Sequence, residues 1–288
     1  MKKRKIQMNL LYLPALAIVL IFVLYPLIRS VRTSFYNWNG YSPKMVFVGF
    51  DNYKNLLTDA NFRRSFLNTL LYGFGSTILQ NLLGLGLALF LNTKFKGHKA
   101  VRTIVYLPVM ISGLIMGYIM YFVVRNQGAL NEILSWVGIT GMDWMGDGNV
   151  GRWIITFVNS WQFCGFCMVI YMAGLQGISQ QYYEAAAIDG ANSWKSFRYI
   201  TLPLLIPAMS SAVVINLIGG LKLYDVVVSL SNGGPNYMTS SLSYYINNRY
   251  LQAEQAGYSS AVGVVMFLFI MLCSLILNGY FRNKEVEI

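Results

Sequence analysis

The sequence predicts an all-α integral membrane protein with six transmembrane helices, and three observations predict it. Hydrophobic residues make up 56% of the 288 and charged ones 11%, with a mean hydropathy of +0.49, against about 25% charge in an ordinary soluble domain. Six apolar stretches reach the roughly 20 residues that a helix needs to cross a hydrocarbon core of about 30 Å. All 11 carboxylates fall outside those stretches, as the cost of placing a charge in lipid demands. Runs this long and evenly apolar do not suit barrel strands of about ten residues.

The first span is expected at 10–28. It follows the basic leader MKKRK as a signal peptide would, but the apolar run is too long and no small-x-small cleavage site follows, so it reads as a retained helix. The second, 66–91, carries Asn68, Gln80 and Asn81. The third, 104–124, contains GLIMG at 113–117, where two glycines four apart let another backbone come close. The fourth, 153–175, carries Asn159, Gln162 and a Cys164–Cys167 pair; inside an apolar span that pair reads as small packing residues rather than a redox motif. The fifth, 202–221, holds Asn216 and a Gly219-Gly220 gap, and the sixth runs over 258–280. The in-span amides need partners in lipid, so they face neighbouring helices or an aqueous path that would suit a neutral, hydroxyl-rich solute.

Charge sets the orientation. The stretches 1–9, 92–103, 176–201 and 281–288 hold 12 Lys/Arg in about 55 residues, and the remaining 10 lie in about 100 residues on the other side. Both termini are therefore expected in the cytoplasm. The outer loops 29–65, 125–152 and 222–257 are turn-rich, with Trp38, Trp136, Trp144 and Trp153 marking a wet boundary. Lys222 and Asp225 are spaced to pair at an outer rim. The net charge of +11 is scattered rather than striped, so no nucleic-acid partner is expected. No cluster suggests a metal, no in-span acid or His suggests proton coupling, and no Gly-Lys dipeptide exists for a phosphate-cradling loop. Uphill transport would need energy from a partner protein.

One cytoplasmic stretch stands apart. The loop 176–201 reads as two short helices joined at Gly190, with Ser179 capping QQYYEAAAID and Asn192 or Ser193 capping WKSFRYI before Pro203. The alanines at 185–187 keep the first helix slim, so it can insert into a groove of another protein, with Glu184 at its edge.

Glu184-Ala185-Ala186, Asp189-Gly190-Ala191, Ile200 and Leu202-Pro203 resemble, at their spacing, the EAA loop of permease subunits of binding-protein-dependent ABC importers. FVGFDNYKNLL, FLNTLLY and NGGP are similar to the carbohydrate-uptake branch of that family, and the resemblance covers nearly the whole chain. It implies one permease domain over 1–288 in a bacterial inner membrane, with 176–201 as a coupling loop between the fourth and fifth spans. It implies a second permease in a heterodimer, an ABC ATPase dimer, an extracytoplasmic solute-binding protein and a carbohydrate substrate. ATP and magnesium would belong to the ATPase, and this chain would hold no cofactor and catalyse nothing. The residues assigned to ATPase coupling are Glu184, Ala185, Ala186, Asp189, Gly190 and Ala191. Asn159 matches a sugar-facing position of the maltose-type permease, and Gln162, Asn216 and Gly220 join it as the expected substrate path. Two other readings are an ABC permease for a non-sugar solute such as glycerol phosphate and a stand-alone secondary transporter. The first lacks in-span bases for a phosphate, and the second leaves the docking loop unexplained.

Overall fold

The computed structural model describes residues 12–93 and 95–284. The N-terminal stretch 1–9, the start of the first expected span, and Glu285 and Glu287 lie outside the described residues. The chain divides into two compact units, one of residues 1–62 with 245–268 and one of 63–244 with 269–288.

In the first unit, helix α1 (Leu13–Thr33) has a mean hydropathy of 2.1 and none of its apolar window is covered by the rest of the chain. Its Leu20–Leu24 turn is π-helical, and the Tyr25 N–H bonds the carbonyl of Leu20, five residues back. Pro26 explains the widening, because its ring would clash with the carbonyl four residues earlier in a regular helix. A short antiparallel pair, β1 (Tyr36–Asn37) with β2 (Val46–Phe47), follows. Asn39 closes its loop by accepting from the N–H groups of Tyr41 and Ser42. Helix α2 (Asp51–Thr58) is fastened by buried Asn52, which donates to the carbonyls of Ser34 at 2.8 Å and Tyr36 at 3.0 Å.

Asp59 is the polar hub of this unit. It accepts from Tyr245 and from Tyr258 at 2.7 Å, pairs with Arg249 at 3.4 Å, and takes the N–H of Asn61. Burial acts to raise its pKa, but the tyrosine and backbone hydrogen bonds outweigh that and hold the carboxyl below its usual range.

The second unit is built on α7 (Gly148–Gln176), with 56% of its apolar window buried. Three neighbours reach it through small residues. On α3 (Ala60–Leu91), a side chain at Gly84 would strike Cys167; at Gly165 one would strike the Val105 carbonyl of α4 (His98–Met110). At Gly174 it would meet Leu205 and Ala208, the latter on α10 (Ile206–Leu221). Such contacts let backbones pack closely where lipid supplies no hydrophobic drive between helices. The Cys164–Cys167 pair is buried and unoxidised, in keeping with a packing role.

Two expected spans are not single helices. The third breaks at Ile111–Ser112, and His98–Met110 and Gly113–Trp136 are bent by 101°. Pro108 lies in a tight Leu107–Met110 turn, and Ser112 then starts α5 (Gly113–Val124) as its N-cap. A short α6 (Ala129–Trp136) follows. The fifth starts earlier than expected, as α9 (Ser193–Leu204), and bends by 65° at Leu205 before α10; Pro207 removes the N–H that would continue the first ladder. Among the described residues, four helices are thus long and apolar enough to cross a membrane, or up to six if each bent pair is one span.

Glycines of GLIMG receive a helix that the sequence did not suggest, α11 (Asp225–Ser231). A side chain at Gly117 would collide with Ser229, and one at Gly113 would come within 3.0 Å of Asp225. The stretch expected as an outer loop is in part core. Thr239, Ser240 and Ser241 are each 0% exposed. Asn68 donates to the carbonyls of Met238 and Ser240, Tyr72 to that of Thr239, and the Leu242 N–H to Thr69. Asn68 is therefore an adhesive between segments. After α12 (Leu242–Asn247), α13 (Ala256–Arg282) ends the described chain.

Candidate functional site

A cavity of about 590 Å³ opens in the second unit, and all four expected path residues, Asn159, Gln162, Asn216 and Gly220, line it. Asn159 and Gln162 stand one turn apart on α7, while α10 brings Asn216 and, one turn on, Gly220. A side chain at Gly220 would strike the Tyr72 carbonyl, so that glycine serves the approach of α10 to α3, and Gly219, with nothing within 4 Å, leaves the open space.

The amides also bind helices together. Asn159 donates to Ser76 at 3.0 Å, Gln162 to the Ile111 carbonyl at 2.9 Å, and Asn216 to the Cys167 sulfur at 2.6 Å. The Gln162 bond satisfies a carbonyl freed where the third span breaks, as a membrane interior requires. Each amide serves as wall and as tie.

Gln80, seen in the sequence only as an in-span amide, joins the wall from α3 and donates to the backbone carbonyl of Asn159 at 3.1 Å. Tyr106, Phe163, Phe166 and Tyr224 add aromatic surface. Lys222 and Asp225 line the rim, both exposed, but the expected pair is not formed: the ion pairs among the described residues are Lys54–Asp51 and Arg249–Asp59.

The second candidate site is the exposed loop. Helix α8 (Gln180–Ile188) buries none of its residues, and Ser179 caps it by accepting the Gln181 N–H. Gly190 has a φ of +73°, a conformation that costs any residue with a side chain. The Ala191 N–H returns to the Ala186 carbonyl at 2.9 Å, and Asn192 caps the next helix through the Lys195 N–H. Glu184, Ala185, Asp189 and Gly190 are exposed, with Ala186 and Ala191 partly so. Ile188, Trp194 and Tyr199 present 87%, 69% and 75% of their surface.

Residues 80–285 match the model of the binding-protein-dependent transport system inner membrane component, a region holding both the cavity and the loop. The chain belongs to that family. This inner membrane component is 35% identical to a probable starch degradation products transport system permease protein of Thermoanaerobacterium thermosulfurigenes, over 95% of its own length and 93% of the relative's. It is 33% identical to the trehalose/maltose transport system permease protein of Thermococcus litoralis, over 91% and 89%. Its fold matches, with a TM-score of 0.84 and 28% identity over 99% of this chain and 98% of the other, a chain of a bacterial alginate ABC transporter solved with its alginate pentasaccharide-bound periplasmic protein.

Proposed function

We propose that this chain is the membrane-spanning permease subunit of an ATP-driven importer for a mono- or oligosaccharide, lining the translocation path and passing the work of a separate ATPase to it. The observation that carries the reading is one cavity walled by neutral amides and aromatic rings in the same unit as a helix with no fully buried residue. Amides pair with hydroxyls in both directions and rings cover the apolar faces of a sugar, without the desolvation penalty of a buried charge. The names of the relatives, which handle starch products and trehalose or maltose, support a carbohydrate.

In this reading α8 and Gly190 dock on one ATPase of a dimer, which holds ATP and magnesium. A second permease completes the path and an extracytoplasmic binding protein delivers the solute. Both termini and α8 lie in the cytoplasm. One observation favours a non-sugar solute such as glycerol phosphate: the ammonium of Lys222 at the rim. Asp225, on the same rim, offsets it. Uptake by the full assembly in proteoliposomes tests the reading, using labelled maltose, trehalose, lactose and glycerol phosphate with ATP inside. ATP-dependent accumulation of a saccharide is expected; accumulation of glycerol phosphate alone would replace the sugar.

A further inference from the structure

Two oxygens of cavity-lining residues, Oε1 of Gln80 and Oε1 of Gln162, are closed off from solvent and have no hydrogen-bond partner among the described residues. Both side chains are 1% exposed and both line the same cavity. Their orientation is fixed by chemistry. Nε2 of Gln80 meets the Asn159 carbonyl at 3.1 Å, and Nε2 of Gln162 meets the Ile111 carbonyl at 2.9 Å. Carbonyl oxygens only accept, so the NH2 ends must be the ones turned to them, which leaves the oxygens as the uncommitted ends.

We propose that Gln80 is a specificity-determining residue of this cavity, acting with Gln162 as a pair of fixed acceptors that read hydroxyl donors on the solute. The inference rests on the saccharide reading and narrows it. An amide oxygen accepts and cannot donate, so it pairs with a sugar hydroxyl and repels a carboxylate or phosphate oxygen at the same place. A buried acceptor left unpaired is costly, so a solute lacking the matching hydroxyl is rejected more strongly than one that merely fits poorly. The ligand class is a neutral, polyhydroxylated ring, with Phe163 and Phe166, one and four residues after Gln162 and lining the same cavity, as apolar cover. Gln80 also brings α3 into recognition: the N–H that ties α3 to α7 belongs to the amide whose oxygen meets the solute.

The test uses the whole importer, with its binding protein, partner permease and ATPase, in proteoliposomes. Uptake is measured for labelled maltose, trehalose and lactose, and then for the single-deoxy derivatives of whichever is transported. Wild type is expected to take up at least one derivative about tenfold more slowly than its parent. Gln80→Met, similar in shape but without the acceptor, is expected to shrink that ratio at least about fivefold, whereas Gln80→Glu, which keeps an acceptor, retains it. Because the binding protein is the same throughout, its own preference cancels between variants, and a purely structural role would slow parent and derivative alike. An unchanged ratio in Gln80→Met overturns the proposal. Should that variant not assemble, Gln162→Met is read in the same way, and an unchanged ratio there overturns the pair. If wild type transports no saccharide, the saccharide reading falls and this inference with it; if it transports one and the ratio does not move, only the inference falls.

Discussion

Asn159 shows how one side chain serves two ends. Its Nδ2 is committed to Ser76 while the residue still lines the cavity, so Asn159→Leu removes one buried hydrogen bond, worth about 1 kcal/mol, and one polar group from the wall. Saccharide uptake by the assembled importer is expected to fall at least about tenfold, while co-purification of the ATPase partner with the variant stays at the wild-type level. Asp59 is a different case. Its carboxyl is held below the usual range by Tyr245 and Tyr258 against the opposing effect of burial. A group with a depressed folded pKa stabilises above its unfolded pKa and loses that contribution as pH falls through the folded value. Thermal unfolding in detergent is therefore expected to show Asp59→Asn less stable than wild type at neutral pH, by about 1–3 kcal/mol. The difference should shrink below the usual carboxylate range, where wild type loses the same charge.

At the scale of elements, close approach and turn geometry decide most. Gly117→Val would drive a branched side chain into Ser229 of α11, and overpacking of this kind costs about 1–3 kcal/mol; a lower unfolding temperature of the purified chain checks it. Gly190→Val forces a β-branched residue into φ of +73°, a cost of roughly 1–2 kcal/mol, and it does so where an added Cβ would meet nothing within 4 Å. The bundle should stay intact, and co-purification of the ATPase should drop together with uptake. The caps of this loop were readable because Ser179, Gly190 and Asn192 act within a few residues of themselves. The bends were less so. Pro108, Pro203 and Pro207 mark where ladders lose an N–H, but an angle of 101° or 65° depends on what each half packs against. Gln162, which holds the Ile111 carbonyl, is 51 residues away.

For the whole molecule, the basic bias of the loops expected inside makes a labelling prediction. Single cysteines at the exposed positions Asn92 and Asn192 should be shielded from an impermeant thiol reagent outside intact cells, and ones at Asn55 and Asn236 should react. Hydropathy made the apolar stretches and the membrane class legible, because a span is a local property of about 20 residues. It did not reveal that Thr239–Ser241 is core: those small polar residues look like any turn, and among their partners are Ser65, Asn68 and Tyr72, about 170 residues earlier. The four residues expected on the path were legible as in-span amides and a glycine, and they line one cavity; Gln80 was not singled out, since the place of its amide in the wall depends on the Asn159 carbonyl, 79 residues away.

The naked α8 carries a consequence for subunit supply in the cell. Nine residues with no buried side chain fall short of the roughly 12–15 that an isolated helix needs to persist in water, so before assembly this segment rests on its caps and on the hydrogen bond of Tyr183 to Thr201 at 3.0 Å. A permease made in excess of its partners should then offer proteases a frayed strip carrying Ile188, while an assembled one hides it. Surplus copies would be cleared at that point, and the stoichiometry of the complex would be policed by the same nine residues proposed to dock on the ATPase. Pulse-chase turnover of the chain with and without its ATPase, with fragments mapped to 180–188, should show the cut only in the orphan.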